Sequence, residues 1–115
     1  MTSSPVVHIH SGEEMADILK LGHDEKVPVF VKFGAVWCGP CRVMEPKYKA
    51  AAKKYSARAL FCTVDIEEVR DVATQFEVRS VPMFCVVKNM TPVETWVGAN
   101  GVILEQKIAH HIAQQ

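Results

Sequence analysis

The run from Val27 to Phe33, "VPVFVKF", most limits how this chain can fold. Near-continuous β-branched and aromatic residues mark a strand covered on both faces, the pattern of a parallel sheet with helices above and below it. Directly after it comes "WCGPC", from Trp37 to Cys41, and then helix formers up to about Tyr55. Pro40 is tolerated in a first helical turn, whereas Pro46 predicts a kink in the interior. Two cysteines thus stand where a buried strand turns into a helix. Lys32, in the middle of the strand, is the one residue that breaks its apolar pattern.

The remainder alternates in the same way. Val6 to His10 reads as a short first strand. Ser11 and Glu14 form a capping-box pattern, and Met15, Ile18 and Leu19 then carry a helix to about Gly22. Ala59 to Val64 predicts a third strand, and Val69, Val72, Ala73 and Phe76 the apolar stripe of another helix. Met83 to Lys88 and Val93 to Val97 read as a hairpin joined by Asn89 to Pro92. Leu104, Ile108 and Ile112 form a closing helix after Asn100. The fold class is therefore α/β, a mixed sheet with helices on both faces. No repeat, low-complexity tract or linker divides it, so residues 1–115 are expected to form a single domain.

Thirteen Lys and Arg balance thirteen Asp and Glu. That balance leaves no broad positive field for nucleic acid and no polybasic segment for a membrane surface. No basic, apolar leader opens the sequence, and no run approaches the ~18 apolar residues of a membrane span. The protein is expected to be soluble and intracellular. Four cysteines in such a compartment are more often reduced, catalytic or metal-binding than members of a disulfide framework.

At a helix start, Cys38 faces unpaired backbone N–H groups and the positive end of the helix dipole, both of which favour its thiolate. Cys38 is therefore the expected nucleophile. Cys41, one turn further in, is expected deeper and protonated, as the resolving thiol. A zinc site would need two more ligands. Cys62 and Cys85 fall in separate predicted strands, and none of His8, His10, His23, His110 or His111 completes a ligand spacing. A permanently closed structural disulfide suits an intracellular chain poorly. A reversible redox pair is the reading carried forward, with Cys62 and Cys85 as small buried hydrophobes.

"WCGPC" after a buried strand, Pro46 in the following helix, Val81-Pro82 before a strand and "VGAN" near the end together resemble the thioredoxin family. The likeness covers nearly the whole chain, and "VDIEEVRDVATQFEVRSVP" is similar to the eukaryotic branch. The resemblance implies the thioredoxin fold, a central mixed five-stranded sheet flanked by four helices on both faces. It also implies a thiol–disulfide oxidoreductase that reduces protein disulfides through Cys38 and Cys41 without a bound cofactor. Gly39 and Pro40 between the cysteines match relatives that act as reductants. Pro82 matches the family's cis-proline, beside which the backbone of Val81 pairs with an extended substrate segment. Trp37, Gly39, Pro40 and Gly98 match positions lining that shallow surface. Electrons are then expected from NADPH through a thioredoxin reductase, or from another dithiol donor, in a cytoplasmic monomer.

Several residues depart from the family pattern. Gly34 stands where a larger residue is common, Met83 where threonine usually follows the cis-proline, and Ser80 where some animal members carry an extra cysteine. His111 takes a usually apolar position and is expected to be packed or at a helix end. Lys32 replaces a buried aspartate thought to assist proton removal from the resolving thiol. Desolvation lowers the pKa of a buried amine, so Lys32 could take that proton itself; if charged, it would stabilise a nearby thiolate. Alternatively its stem packs in the strand and its ammonium reaches solvent or an acid elsewhere. Phe61, expected to face it, offers no acid.

Overall fold

The computed structural model describes residues 5–114; residues 1–4 and 115 of the expected domain lie outside the described residues. The elements run β1 (Val6–Ile9), α1 (Gly12–Glu25), β2 (Val29–Gly34), α2 (Gly39–Tyr55), β3 (Leu60–Asp65), α3 (Arg70–Gln75), β4 (Met83–Lys88), β5 (Thr91–Val97) and α4 (Gly101–Ala113). The strands form one sheet in the order β1-β3-β2-β4-β5. β2 is parallel to β3 and antiparallel to β4, β1 is parallel to β3, and β5 is antiparallel to β4. The expected doubly covered strand is thus the central one, and all six of its residues are buried.

Alternation along β2 divides the core between the two faces. Val29, Val31 and Phe33 pack with Cys62, Val64 and Cys85 of the neighbouring strands and with Met15, Ile18 and Leu19 of α1 and Val72 of α3. Phe30 faces the other way, with Phe61 and Phe84, against Met44, Tyr48 and Ala52 of α2 and Leu104, Ile108 and Ile112 of α4. Two helices therefore cover each face. The fold is the thioredoxin fold that the resemblance implied.

Some boundaries differ from the expected ones for identifiable reasons. α1 continues past Gly22 to Glu25 and stops at Lys26, whose left-handed backbone (φ 60°) lets its N–H bond to the carbonyls of Gly22 and His23. Gly22 belongs to the helix because it lets the backbone lie against β2: a Cβ there would collide with the Val29 side chain. At the other end Ser11 Oγ accepts the Glu14 N–H, while the Glu14 carboxylate accepts from the N–H of His10. α2 runs unbroken through Pro46. The β4–β5 turn is only Asn89 and Met90, both with positive φ, as a tight two-residue hairpin demands. Pro92, expected in the turn, instead pairs with Val87 on the edge strand beside a bulge, where its missing N–H costs no ladder bond.

Tyr48 anchors α2 to the sheet. Its buried hydroxyl lies 2.9 Å from the Phe30 carbonyl and 2.8 Å from the Cys62 carbonyl, to which its single proton is donated. Burial pushes the phenol well above its ordinary pKa, so it remains a donor throughout the working pH range. Tyr48→Phe is expected to keep the fold and lose about 1–3 kcal/mol, the usual cost of an unsatisfied buried polar group, measured by urea unfolding.

Candidate active site

β2 ends at Gly34, and after three intervening residues the chain enters α2 through Cys38, its N-cap. The intervening turn is held by the Cys38 N–H to the Ala35 carbonyl at 3.1 Å and by Arg42 Nη2 donating to the Val36 carbonyl at 2.9 Å. In this position Cys38 Sγ accepts the Cys41 N–H at 3.1 Å, as the helix-start reading requires. A sulfur thus does the capping work that a serine or aspartate oxygen does elsewhere. Cys38 and Cys41 are joined in a disulfide with their Cα atoms 5.3 Å apart.

Residue exposure does not separate the two: Cys38 is 4% and Cys41 3% exposed. Their surroundings do. Cys41 lines a cavity of about 380 Å³ between α2 and the β1–β3 edge of the sheet, whose lining also includes Lys32, Gly34 and Glu45. Cys38 lies outside that lining, and the two cysteines form one buried cluster with Ala35, against which Ile66 and Val81 pack. Val81 is thereby brought to the cysteine pair, and the Val81–Pro82 bond is cis. Gly98 joins the same corner, its N–H donating to the Pro82 carbonyl at 3.0 Å; its φ of 121° is one that glycine adopts without strain. Trp37, Gly39 and Pro40 are exposed at the rim. All the sequence-predicted residues therefore lie around or just behind one disulfide.

Lys32 is 7% exposed and forms no ion pair within 4 Å among the described residues. Its neighbour on β3 is Thr63, because Phe61 pairs with Phe30, so the expected facing position was two residues out of register. The acid that acts on Lys32 is Glu45 of α2. Burial lowers the Lys32 pKa, and the Glu45 charge only partly opposes this. Sequence reasoning passed over Glu45, although it stands four residues after Cys41 on one helix face. His8 and Thr63 border the amine, Arg42 and Asp65 complete the cavity, and at its rim His10 pairs with Glu68 at 2.6 Å, which raises the His10 pKa.

Cys62 and Cys85 are free and fully buried. Burial pushes the Cys62 thiol far up and the Cys85 thiol up to about 12, so both stay protonated and unreactive. His111 is a packed histidine, its Nε2 2.7 Å from Glu94 Oε1. Among the described residues no group of three or more His, Cys, Asp or Glu is placed to hold a metal ion, and no helix is long and apolar enough to cross a membrane.

A CxxC pair at the start of the helix that follows the central strand, beside a cis-proline, defines a thiol–disulfide oxidoreductase. The chain belongs to the thioredoxin family, whose model, described as Thioredoxin, matches residues 6–113. It is 39% identical over 111 residues to the TPR repeat-containing thioredoxin TDX of Arabidopsis thaliana, covering 96% of this chain but only 29% of that protein. Thioredoxin H4-1 of Oryza sativa subsp. japonica is 38% identical over 105 residues, 90% of this chain and 79% of that protein. The crystal structure of thioredoxin NaTrxh from Nicotiana alata superposes with a TM-score of 0.87 at 35% identity over 96% of each chain.

The lowered Lys32 pKa has a stability consequence. The unfolded chain holds this proton more tightly than the folded one, so the amine's contribution to stability is least favourable below its folded pKa and improves as pH rises towards the unfolded value. Lys32→Met, of similar volume and uncharged, is expected to raise the urea midpoint at pH 7. The gap to wild type should narrow once the pH passes the folded pKa of the amine, and keep narrowing towards the unfolded value.

Proposed function

We propose that the chain reduces disulfides in other proteins by cycling Cys38 and Cys41 between dithiol and disulfide. The observation that carries this reading is the Cys38 sulfur held against the first turn of α2, next to the Val81–Pro82 edge. In the reduced protein the Cys38 thiolate attacks one sulfur of a target disulfide. A mixed disulfide forms, and the target's other sulfur leaves as a thiolate that takes up a proton. Cys41 then loses its proton and attacks Cys38 Sγ. The Cys38–Cys41 bond forms, the bond from Cys38 to the target breaks, and the second target sulfur leaves. Two electrons pass to the target, and the chain is left in the disulfide form of this structure.

Lys32 accepts the Cys41 proton in this scheme. Its Nζ lies 3.5 Å, and Cys41 Sγ 3.4 Å, from the point where a Cβ on Gly34 would sit. Burial lowers its pKa and so favours the neutral amine that a base must be. Trp37, Gly39, Pro40 and Gly98 form the surface on which an extended target segment lies, with Val81 pairing to its backbone next to Pro82. The dithiol is restored by a thioredoxin reductase drawing on NADPH, or by another dithiol donor, and no cofactor is bound. Residues 1–115 act as one monomeric, cytoplasmic domain.

Cys38→Ser is expected to abolish reaction with disulfide substrates. Cys41→Ser should still form mixed disulfides but not release them, and mass spectrometry of the trapped adducts reads the difference. Preferential alkylation of Cys41 in the reduced wild type at neutral pH would reverse the assignment.

Lys32→Met should leave the Cys38 attack nearly unchanged and slow mixed-disulfide decay, by up to the ~100- to 10,000-fold that a positioned proton acceptor contributes. Stopped-flow measurement of the decay checks it. A wild-type rate across pH 6 to 9 would leave Lys32 a structural residue alone.

A further inference from the structure

Gly34 is the last residue of β2 and is buried. Its φ lies outside the positive region that favours glycine, so the backbone at this point accepts any residue. Glycine inside a strand is destabilising relative to alanine, and a central strand gains from side chains that pack. What glycine provides here is space. Gly34 and Lys32 project to the same face of β2, two residues apart. The first atom of a side chain at 34 would lie 3.4 Å from Cys41 Sγ, 3.5 Å from Cys41 Cβ and 3.5 Å from Lys32 Nζ. The amine and the resolving sulfur therefore border one vacant volume, and any side chain larger than a methyl would have to grow into it or push one of them aside.

We propose that Gly34 is a positioning residue for the release step, holding open the space that the Lys32 amine and the Cys41 sulfur both border. This inference rests on the reading of Lys32 as the proton acceptor. With the space open, the Cys41 proton passes to the neutral amine directly or through one water. The resulting thiolate attacks Cys38 Sγ, the target sulfur leaves, and the ammonium returns its proton to solvent through the same cavity. With the space filled, the base is held off its thiol, and Cys41 must ionise unaided in a buried site.

The test follows mixed-disulfide decay by stopped flow from pH 6 to 9 in wild type, Gly34→Val, Lys32→Met and the double variant. The charged and titratable groups that share a pocket lining with Lys32 are Arg42, Glu45, Tyr48 and Lys49 of α2, His8 of β1 and His10 just after it, and Asp65 of β3 and Glu68 just after it, with Phe84 the β4 neighbour; they are the same in all four proteins. Gly34→Val is expected to slow release on the order of 100-fold, as a misplacement of about 1 Å does, and to leave Cys38 alkylation unchanged. The double variant should be no slower than Lys32→Met, because the two substitutions remove one interaction. In wild type the release rate should level off once the amine is neutral, whereas in Gly34→Val it should keep climbing with pH. If Gly34→Val does not fold, Gly34→Ser, which extends beyond the ordinary contact a methyl makes here, decides by the same comparison: it should slow release with Lys32 present and have no effect in the Lys32→Met background. Wild-type decay in the Gly34 variants alongside slow decay in Lys32→Met would overturn the role of Gly34 only. Slowing by the same factor with and without Lys32 would do so too. Wild-type decay in Lys32→Met would overturn both readings.

Discussion

The unpaired N–H groups at the start of α2 are the constraint around which this molecule is arranged. A sulfur can use them only if the helix begins where a buried strand ends and if the joining turn has no slack. β2 meets the first condition by being central and covered on both faces. The Cys38 to Ala35 and Arg42 to Val36 bonds meet the second. The rest of α2 then fixes the direction of approach. Cys41, Met44, Tyr48 and Ala52 are its buried face, and Tyr48 is bonded to the backbone of both β2 and β3. The position of the sulfurs is thus set by packing two turns below them.

The sheet face beneath α2 changes character along its length. In register across β1, β3 and β2 lie Val6, Phe61 and Phe30, then His8, Thr63 and Lys32, then Asp65 and Gly34 nearest the sulfurs. Aromatic packing holds the lower level and a polar cavity occupies the upper one. Lys32 stands at the change, its stem crossing from the apolar layer and its amine lying in the cavity. A larger cleft between α2 and α4, about 710 Å³, has neither sulfur in its lining. Three of its polar side chains are engaged: Asn100 caps α4 and Lys54 pairs with Glu105.

Local features of this architecture were legible in the sequence. The β-branched run predicted the central strand, "WCGPC" the sulfur at a helix start, Ser11 and Asn100 two helix beginnings, and the resemblance the proline at 82. Features that arise between elements were not. The pairing of Lys32 with Thr63 rather than Phe61 depends on how β2 and β3 align, which no single strand encodes. The extension of α1 to Glu25 depends on Gly22 lying against Val29, a tertiary contact. The near-equal burial of Cys38 and Cys41 goes with a shared cluster against which Ile66 and Val81 pack, and Val81 is remote in sequence. Glu45 carried a local signal, its spacing from Cys41, that gained meaning only when β1 and β3 closed the cavity around it.

The reversed charge at position 32 and the vacancy at position 34 belong together on physical grounds. A carboxylate that takes a thiol proton only moves one negative charge from oxygen to sulfur. A neutral amine that does so creates two charges, an ammonium and a thiolate, where there were none. Separating charge in a dry, low-dielectric site is costly unless the new pair is close and otherwise solvated. Closeness is what the empty volume over Gly34 permits. Solvation is what the cavity lined by His8, Thr63, Arg42 and Glu45 can provide, and the Glu45 carboxylate favours the ammonium as it forms. Once formed, the pair helps itself, since the ammonium attracts the thiolate, whereas a carboxylate that has taken the proton is neutral and does not. An amine is therefore a workable base behind Cys41 only together with an open, polar cavity, and this chain has both.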